Sequence, residues 1–513
     1  MEPRTIVAIE IASSKIKGAV GALSPDGRLS VLAVEEIKAT NSVRHGRVQN
    51  IREVSMTVNE IIRRLESSPQ IAARKVQSVV LSIGGRSLSG SPASATVRFP
   101  HDLEITEETI RRLKNEAVKD FVGNKNIEDI LPRTFYVNNV EVKKVVGTFG
   151  STLRGEFLLL TCAKETRQNL ERLKFDSIRA GSVAYRLRAT AIADLVLGLD
   201  DKQLGCVLVD FGAETTTVSI YKDGALCFLS TIPMGSRLIT LDLMAGMTIT
   251  EEAAEDMKLT LGSIAAGDSS RNPDFDEVNN YVRARAGEIV ANIVNQIQSS
   301  GIAPEALAGG IVVVGGGSQL PDFGTLLAAQ SKLQVRRGLL PDTIVFGSTS
   351  YAKPSNIDVI SLLVSGLRHH DSDGLSAPVQ ETVAETRVSQ PVVTPVQETR
   401  TTARTLVEEQ PEESEEDDYY EPEDNYDETL LQDDPEDNED DNRPRWSPFR
   451  SKKTQEASVR ERIVYEDPEP EDEEPVVPQN HQNTKGVKKI VGRLQDALMT
   501  FFTSNPEEDD SDE

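Results

Sequence analysis

The residues whose types and spacing could do chemistry are two carboxylates, each at the end of an apolar strand-length run and each followed within five residues by hydroxyls. Asp210 closes the run Cys206 to Val209 and is followed by Gly212, Thr215 and Thr216; Glu10 lies in the run Thr5 to Ile11 and is followed by Ser13, Ser14 and Lys15. A carboxylate, a position with little or no side chain and several hydroxyls at a strand turn suit a phosphate and its hydrated metal ion. A lone Asp-x-Gly is also an ordinary turn. What adds weight is a third stretch, where Gly315, Gly316 and Gly317 follow an apolar run beginning at Ile311 and precede a helix predicted to start near Pro321 to Phe323. Such a turn presents backbone N–H groups to an anion and lets a ligand come close to the chain.

The elements that must position these residues follow from periodicity. Cys206 to Val209 and the β-prone run Val218 to Tyr221, which stops at the turn signal Asp223-Gly224, predict a hairpin. Thr5 to Ile11 and Ile16 to Leu23 predict another, followed by a strand over Val31 to Ile37, an amphipathic helix over Ile51 to Leu65 and a strand over Val76 to Ile83. Gly84 to Thr161 departs from this alternation. A short strand at Ala95 to Phe99, a helix Glu107 to Val122 opened by Thr106, and β-prone runs at Arg133 to Val137, Val140 to Val146 and Glu156 to Cys162 predict a self-contained small α+β insertion. Further helices are expected over Gln168 to Ala180, Ser182 to Leu197, Glu251 to Leu261, Tyr281 to Ser299 (after a polar loop at 267–280) and Val359 to Leu367.

Three strand-turn elements of this kind, in this order, resemble the first phosphate loop, second phosphate loop and adenosine loop of the actin-like ATPase superfamily. The resemblance implies an α/β fold of two similar lobes that close on ATP and Mg2+ in the cleft between them. It places Glu10 and Asp210 at the metal through water, and Ser13, Ser14, Lys15, Gly212, Thr215 and Thr216 at the phosphates. Gly315, Gly316 and Gly317 would lie against the adenosine, with Glu255 and Lys258, which match the superfamily's E-x-x-K helix, beside the ribose and base. Ala12 and the pair Ala213-Glu214 stand where glycines are common, so a Cβ and a charged side chain enter the phosphate neighbourhood, and weak hydrolysis at most is expected.

The insertion narrows the resemblance. Ile130 to Arg154, with L-P-R-T-F-Y-V-N-N-V and V-V-G-T-F-G-S-T-L-R, is similar to the inserted subdomain 1C of the FtsA family of bacterial cell-division proteins, with Val145 where that family usually has proline. Ile232 to Leu243 resembles the segment that follows the family's second phosphate loop. On this resemblance, which spans Thr5 to about Leu367, residues 1–83 and 163–201 with the closing helix at 346–371 form subdomain 1A, and 84–162 form 1C. Residues 202–245 and 301–345 form 2A and 246–300 form 2B. It implies a structural adaptor that anchors filaments of the tubulin-like FtsZ to the inner face of the cytoplasmic membrane at the division site. The same resemblance implies self-polymerisation through 1C, contacts with other division proteins and no nucleic-acid partner. Arg285 and Glu288 match the family's R-x-x-E near the face that receives the FtsZ tail, although an i, i+3 Arg and Glu pair is equally an ordinary solvated ion pair. A small-molecule kinase of the same superfamily is the alternative. It needs a general base at the acceptor hydroxyl, and only Glu214 is a spare carboxylate in the phosphate loops.

Composition separates body from tail. The 513 residues hold 82 acidic and 56 basic side chains, a net charge of −26, nearly all of which falls within 372–483. The acidity therefore says nothing about the cleft. Pro, Glu, Asp, Thr and Gln dominate that stretch without any persistent apolar period, so a disordered linker is expected, spanning roughly 60 Å as a flexible coil. Its one basic island, Arg443 to Lys453, holds the only tryptophan and reads either as a chance basic patch or as a partner-docking or membrane-touching motif. Beyond it, in 484–503, Val487, Ile490, Val491, Leu494, Ala497, Leu498, Phe501 and Phe502 fall on one side of a helix, with Lys485, Lys488 and Lys489 off that stripe. That pattern suits an amphipathic helix lying on an anionic membrane surface, with Lys488, Lys489, Ile490, Val491, Leu494, Leu498, Phe501 and Phe502 in contact; docking on the body or in a partner's groove is the other reading. Residues 504–513 form an acidic end. The three cysteines, Cys162, Cys206 and Cys227, sit in apolar runs without metal-ligand spacing and read as reduced thiols of a cytosolic protein. Neither a signal peptide nor an apolar run of membrane-spanning length is expected.

Overall fold

The structure is a computed structural model and describes residues 4–39, 41–71, 74–119, 121, 123–176, 183–265 and 273–376. Most of the acidic stretch with its Arg443 to Lys453 island, the helix predicted over 484–503 with all of its membrane-contact residues, and the acidic end lie outside the described residues.

The first lobe begins with β1 (Thr5–Ile11) and β2 (Lys15–Leu23), an antiparallel hairpin extended by β3 (Leu29–Lys38) and followed by the short pair β4 (Val43–Arg44) and β5 (Arg47–Val48). All seven residues of β1 are buried, which is why its sequence is apolar without alternation. Helix α1 (Ile51–Glu66) starts where the Asn50 side chain accepts the Glu53 N–H, and it buries Val54, Val58, Ile61, Ile62 and Leu65 at three- and four-residue spacings. β6 (Val79–Ile83) then pairs parallel with β1.

The insertion follows as β7 (Ser89–Glu104), α2 (Glu107–Lys119), β8 (Lys125–Val137), β9 (Val140–Val142) and β10 (Phe149–Ala163). Its three main strands are far longer than the apolar runs within them, because β10 is paired along nearly its whole length with β7 on one side and β8 on the other. Ladder hydrogen bonds do not depend on side-chain polarity, so polar outward residues continue the strands past their apolar cores. α2 closes this unit, setting Leu113 and Ala117 against Val97, Leu153 and Phe157.

Next come α3 (Lys164–Glu171), β11 (Val183–Leu187), α4 (Arg188–Val196) and α5 (Leu199–Leu204). Here two expectations are corrected. The helix expected over Gln168 to Ala180 is α3, earlier and shorter; it ends because the backbone N–H groups of Lys174 and Asp176 are taken by Ser55 Oγ and Asn59 Oδ1 of α1 instead of by helical carbonyls. The helix expected over Ser182 to Leu197 is divided: V-A-Y-R-L forms β11, parallel to β6, and the helix starts only at Arg188.

The second lobe opens with the expected hairpin, β12 (Cys206–Phe211) and β13 (Thr216–Lys222), joined by β14 (Ala225–Ile232). Helices α6 (Arg237–Met247), α7 (Glu251–Leu261) and α8 (Pro273–Ser299) follow. α8 starts well before the expected Tyr281, with a proline at its first position, where no N–H is required. β15 (Ile311–Val314), α9 (Phe323–Ser331), β16 (Val335–Arg337) and β17 (Val345–Phe346) lead to α10 (Ile357–Arg368), which returns to pack on β1 and α4.

Two sheets result. The first runs β11-β6-β1-β2-β3-β17, and the second runs β16-β15-β12-β13-β14-β7-β10-β8-β9, so the insertion's strands continue the second lobe's sheet through the Ser89–Ser230 pairing. Alternate residues of β12 face different cores: Cys206 and Leu208 join the core of the first lobe, whereas Val207, Val209 and Phe211 join that of the second. The strand that carries Asp210 is thus gripped on both faces. Among the described residues, no helix is long and apolar enough to cross a membrane, and all three cysteines are unpaired.

Candidate functional site

The turns after β1 and β12 face each other across a cleft of about 470 Å³ lined by Ser13, Ser14, Asp210, Gly212, Thr215 and Gly315 among others. Each turn is fixed by its hairpin. Ala12 N–H donates to the Lys15 carbonyl across the first, and Gly212 N–H to the Thr215 carbonyl across the second. Gly316 and Gly317 complete a wall, and Gly315 has φ +89° with the Phe211 carbonyl oxygen 2.4 Å from where a Cβ would lie, so only glycine fits there. Glu255 and Lys258, one turn apart on α7, line the same cavity; Lys258 Nζ is 2.7 Å from Glu255 Oε2, which also accepts the Thr240 hydroxyl at 2.6 Å.

The floor is ionic. Glu10 and Lys17 are register partners across β1 and β2 and point to one side of the sheet. Arg188, the first residue of α4, donates to Glu10 Oε1 at 3.1 Å and sets its other terminal nitrogen 2.8 Å from Asp210 Oδ2, while Lys17 Nζ lies 2.9 Å from Asp358 Oδ2 at the start of α10. Three carboxylates thus surround two cations. Burial pushes the Glu10 carboxyl up to about 7 although Arg188 pulls it down, and burial raises Asp210 against the same pull. The Lys17 ammonium is depressed by burial but restored above its ordinary value by Asp358, and Arg188, likewise opposed by burial, is held charged by Asp210 and Glu10.

Glu10 Oε2 is buried without a hydrogen-bond donor, and Asp210 Oδ2 has Arg188 Nη2 at 2.8 Å. Of the two carboxylates expected at the metal, Asp210 lines the cavity and Glu10 does not; an acidic floor of this kind fits the waters of a hydrated Mg2+, an ion that keeps several of its waters. Among the described residues no group of three or more His, Cys, Asp or Glu gathers as a metal cage, so any remaining ligands would be water and phosphate oxygens.

Not every expected residue faces the cleft. The Thr216 side chain is fully buried and donates to the Met234 carbonyl at 2.7 Å, and Lys15, though at the rim, pairs with Glu36 at 2.5 Å. Arg285 and Glu288 lie elsewhere, on α8. Arg285 holds Asp242 of α6 through two nitrogens, at 2.5 and 2.8 Å, and Glu288 at 2.5 Å, so it clamps two helices of the second lobe. The sequence reading missed Arg188, Lys17 and Asp358. Buried Lys and Arg leave no periodic signature, and the partners of Arg188 are 178 and 22 residues away in the chain.

Comparison with known proteins agrees on one family. The family model of the cell division protein FtsA matches residues 207–354. The FtsA of Porphyromonas gingivalis is 29% identical over 341 residues, covering 63% of this chain and 70% of that protein. The FtsA of Bacillus subtilis is 26% identical over 350 residues, covering 64% and 76%. Among solved structures, the PilM-PilN type IV pilus biogenesis complex superposes with a TM-score of 0.52 at 14% identity, covering 71% of this chain and 98% of that one, a likeness of fold alone.

Proposed function

The chain belongs to the FtsA family of cell division proteins, and from that premise we propose that it is an actin-like structural adaptor whose cleft binds an adenine nucleotide with Mg2+. The observation that carries the reading is the convergence of two strand-end turns and a glycine turn on one cavity whose lining includes the carboxylates of Asp210 and Asp358. Glu10 and Asp210 would hold the ion through water, Ser13, Gly212 and Thr215 would meet phosphate oxygens, and Gly315 to Gly317 with Glu255 and Lys258 would take the nucleoside. When bound, Mg2+ neutralises charge between phosphate oxygens. Arg188 and Lys17 set two cations against the carboxylates of Glu10, Asp210 and Asp358, so each of these buried charges has a partner of opposite sign.

In this reading nucleotide binding serves assembly. The protein links FtsZ filaments to the inner face of the cytoplasmic membrane at the division site through the helix expected over 484–503, polymerises with itself and meets other division proteins. The test is thermal denaturation with Mg2+ and adenine nucleotide. The wild type is expected to melt at higher temperature with the nucleotide, and Asp210→Ala to lose that increment. No increment in the wild type would remove the cleft assignment.

A further inference from the structure

Within the cleft, Glu214 occupies a built anion site. Its side chain is only 4% exposed and its carboxylate accepts the His45 backbone N–H at 2.5 Å and Arg237 Nη1 at 2.6 Å, with Arg44 Nε at 3.2 Å and the Ser13 hydroxyl against it. These donors come from both sides: Ser13, Arg44 and His45 from the first lobe, Arg237 from the second. Burial alone would raise this carboxyl, but its donors hold it below the usual range, so it is ionised at neutral pH.

Nor can the carboxylate swing aside cheaply. Arg237 N–H donates to the Ala213 carbonyl at 2.8 Å and Ser236 N–H to the Gly212 carbonyl at 3.0 Å, which pins the turn to the start of α6. Gly235 packs so closely beneath it that a Cβ there would lie 2.5 Å from the Glu214 nitrogen. Arg237 is in turn fixed by Glu251 at 2.7 Å. Glu214 lines the same cavity as Gly315 to Gly317 and Lys258, so a nucleotide with its nucleoside against those residues would direct its outermost phosphate toward Glu214.

Resting on the nucleotide reading above, we propose that Glu214 stands in the chain for a terminal phosphate, so that this cleft selects nucleoside diphosphates over triphosphates. A diphosphate leaves the Glu214 contacts with Ser13, Arg44, His45 and Arg237 intact. A third phosphate must either lie beside a buried like charge or displace a carboxylate with four donors.

The experiment is calorimetric titration of the full chain with Mg-ADP and with Mg-AMPPNP, a triphosphate analogue that is not hydrolysed, for wild type, Glu214→Gly and Glu214→Gln. Like-charge juxtaposition in the wild type is expected to favour the diphosphate at least about tenfold, and the gap should close to within about threefold in Glu214→Gly. Glu214→Gln keeps the shape of the turn without its charge and decides the matter if the glycine variant does not fold; it too should narrow the gap. Equal affinities in the wild type, or a preference that neither variant changes, overturn the inference and leave the nucleotide reading standing. Binding of neither ligand to any of the three proteins overturns both.

Discussion

Arg188 donates from Nη1 to Glu10 and places Nη2 2.8 Å from Asp210, so a single guanidinium joins the first strand of one lobe to the first strand of the other. The relationship matters because both carboxylates are buried and both are raised by that burial. Removing a bidentate cation from such a place leaves two like charges in a poor solvent.

Arg188→Leu is therefore expected to cost about 3–5 kcal/mol at neutral pH, the range for breaking a buried ion pair from one side. The sign of the pH effect is fixed. In the variant the folded-state values of Glu10 and Asp210 move further above their unfolded values, so stability is retained where both are protonated and lost as pH rises through the carboxylate range toward neutrality. Urea denaturation of wild type and variant at acid and neutral pH checks this. A deficit of the same size at both pH values would show that the charges are not its cause.

How much of this was legible beforehand differs by element. The strands carrying Glu10 and Asp210 were legible because burial on both faces makes them apolar throughout, and the glycine turn because Gly315 needs a conformation other residues avoid. Glu214 was visible as a side chain intruding where glycines are common and as a spare carboxylate in the phosphate loops. Its role depends on Arg44 and His45, 170 and 169 residues away, and on no local pattern. Ser182 to Leu197 misled because V-A-Y-R-L has apolar residues that also fit a helix, and pairing with β6 decided for a strand. The strands of the insertion were underestimated because their polar ends hold ladder bonds that composition does not reveal.

Glu214 also makes a prediction about stability. Its folded-state value is lowered, so the contribution of the latch to Arg44, His45 and Arg237 is fully present above the unfolded carboxylate value and is lost as pH falls through the folded one. Glu214→Gln should melt below wild type at pH 7, by an amount equivalent to about 1 kcal/mol given the partial exposure of Arg44. The difference should vanish on acidification to below the ordinary carboxylate range. Parallel thermal melts from pH 7 downward measure it, and a difference that grows with acid would assign the effect to something other than this carboxylate.

The remaining prediction concerns the helix expected over 484–503. Its apolar stripe of Val487, Ile490, Val491, Leu494, Ala497, Leu498, Phe501 and Phe502 follows the long acidic stretch, and Lys485, Lys488, Lys489 and Arg493 flank it. Each of these cations adds about 1 kcal/mol against an anionic leaflet, and the acidic residues from Glu507 onward oppose them unless they extend into water. The doubly substituted chain Leu494→Asp with Phe501→Asp places two charges on the stripe. Loss of about 1.5–3 kcal/mol of burial at each position should weaken binding to vesicles containing anionic lipid at least about a hundredfold. Co-sedimentation with such vesicles reads this directly, and the nucleotide-dependent rise in melting temperature serves as the control that the body is intact. Undiminished sedimentation by a variant whose cleft still responds to nucleotide would move the membrane anchor elsewhere in the chain.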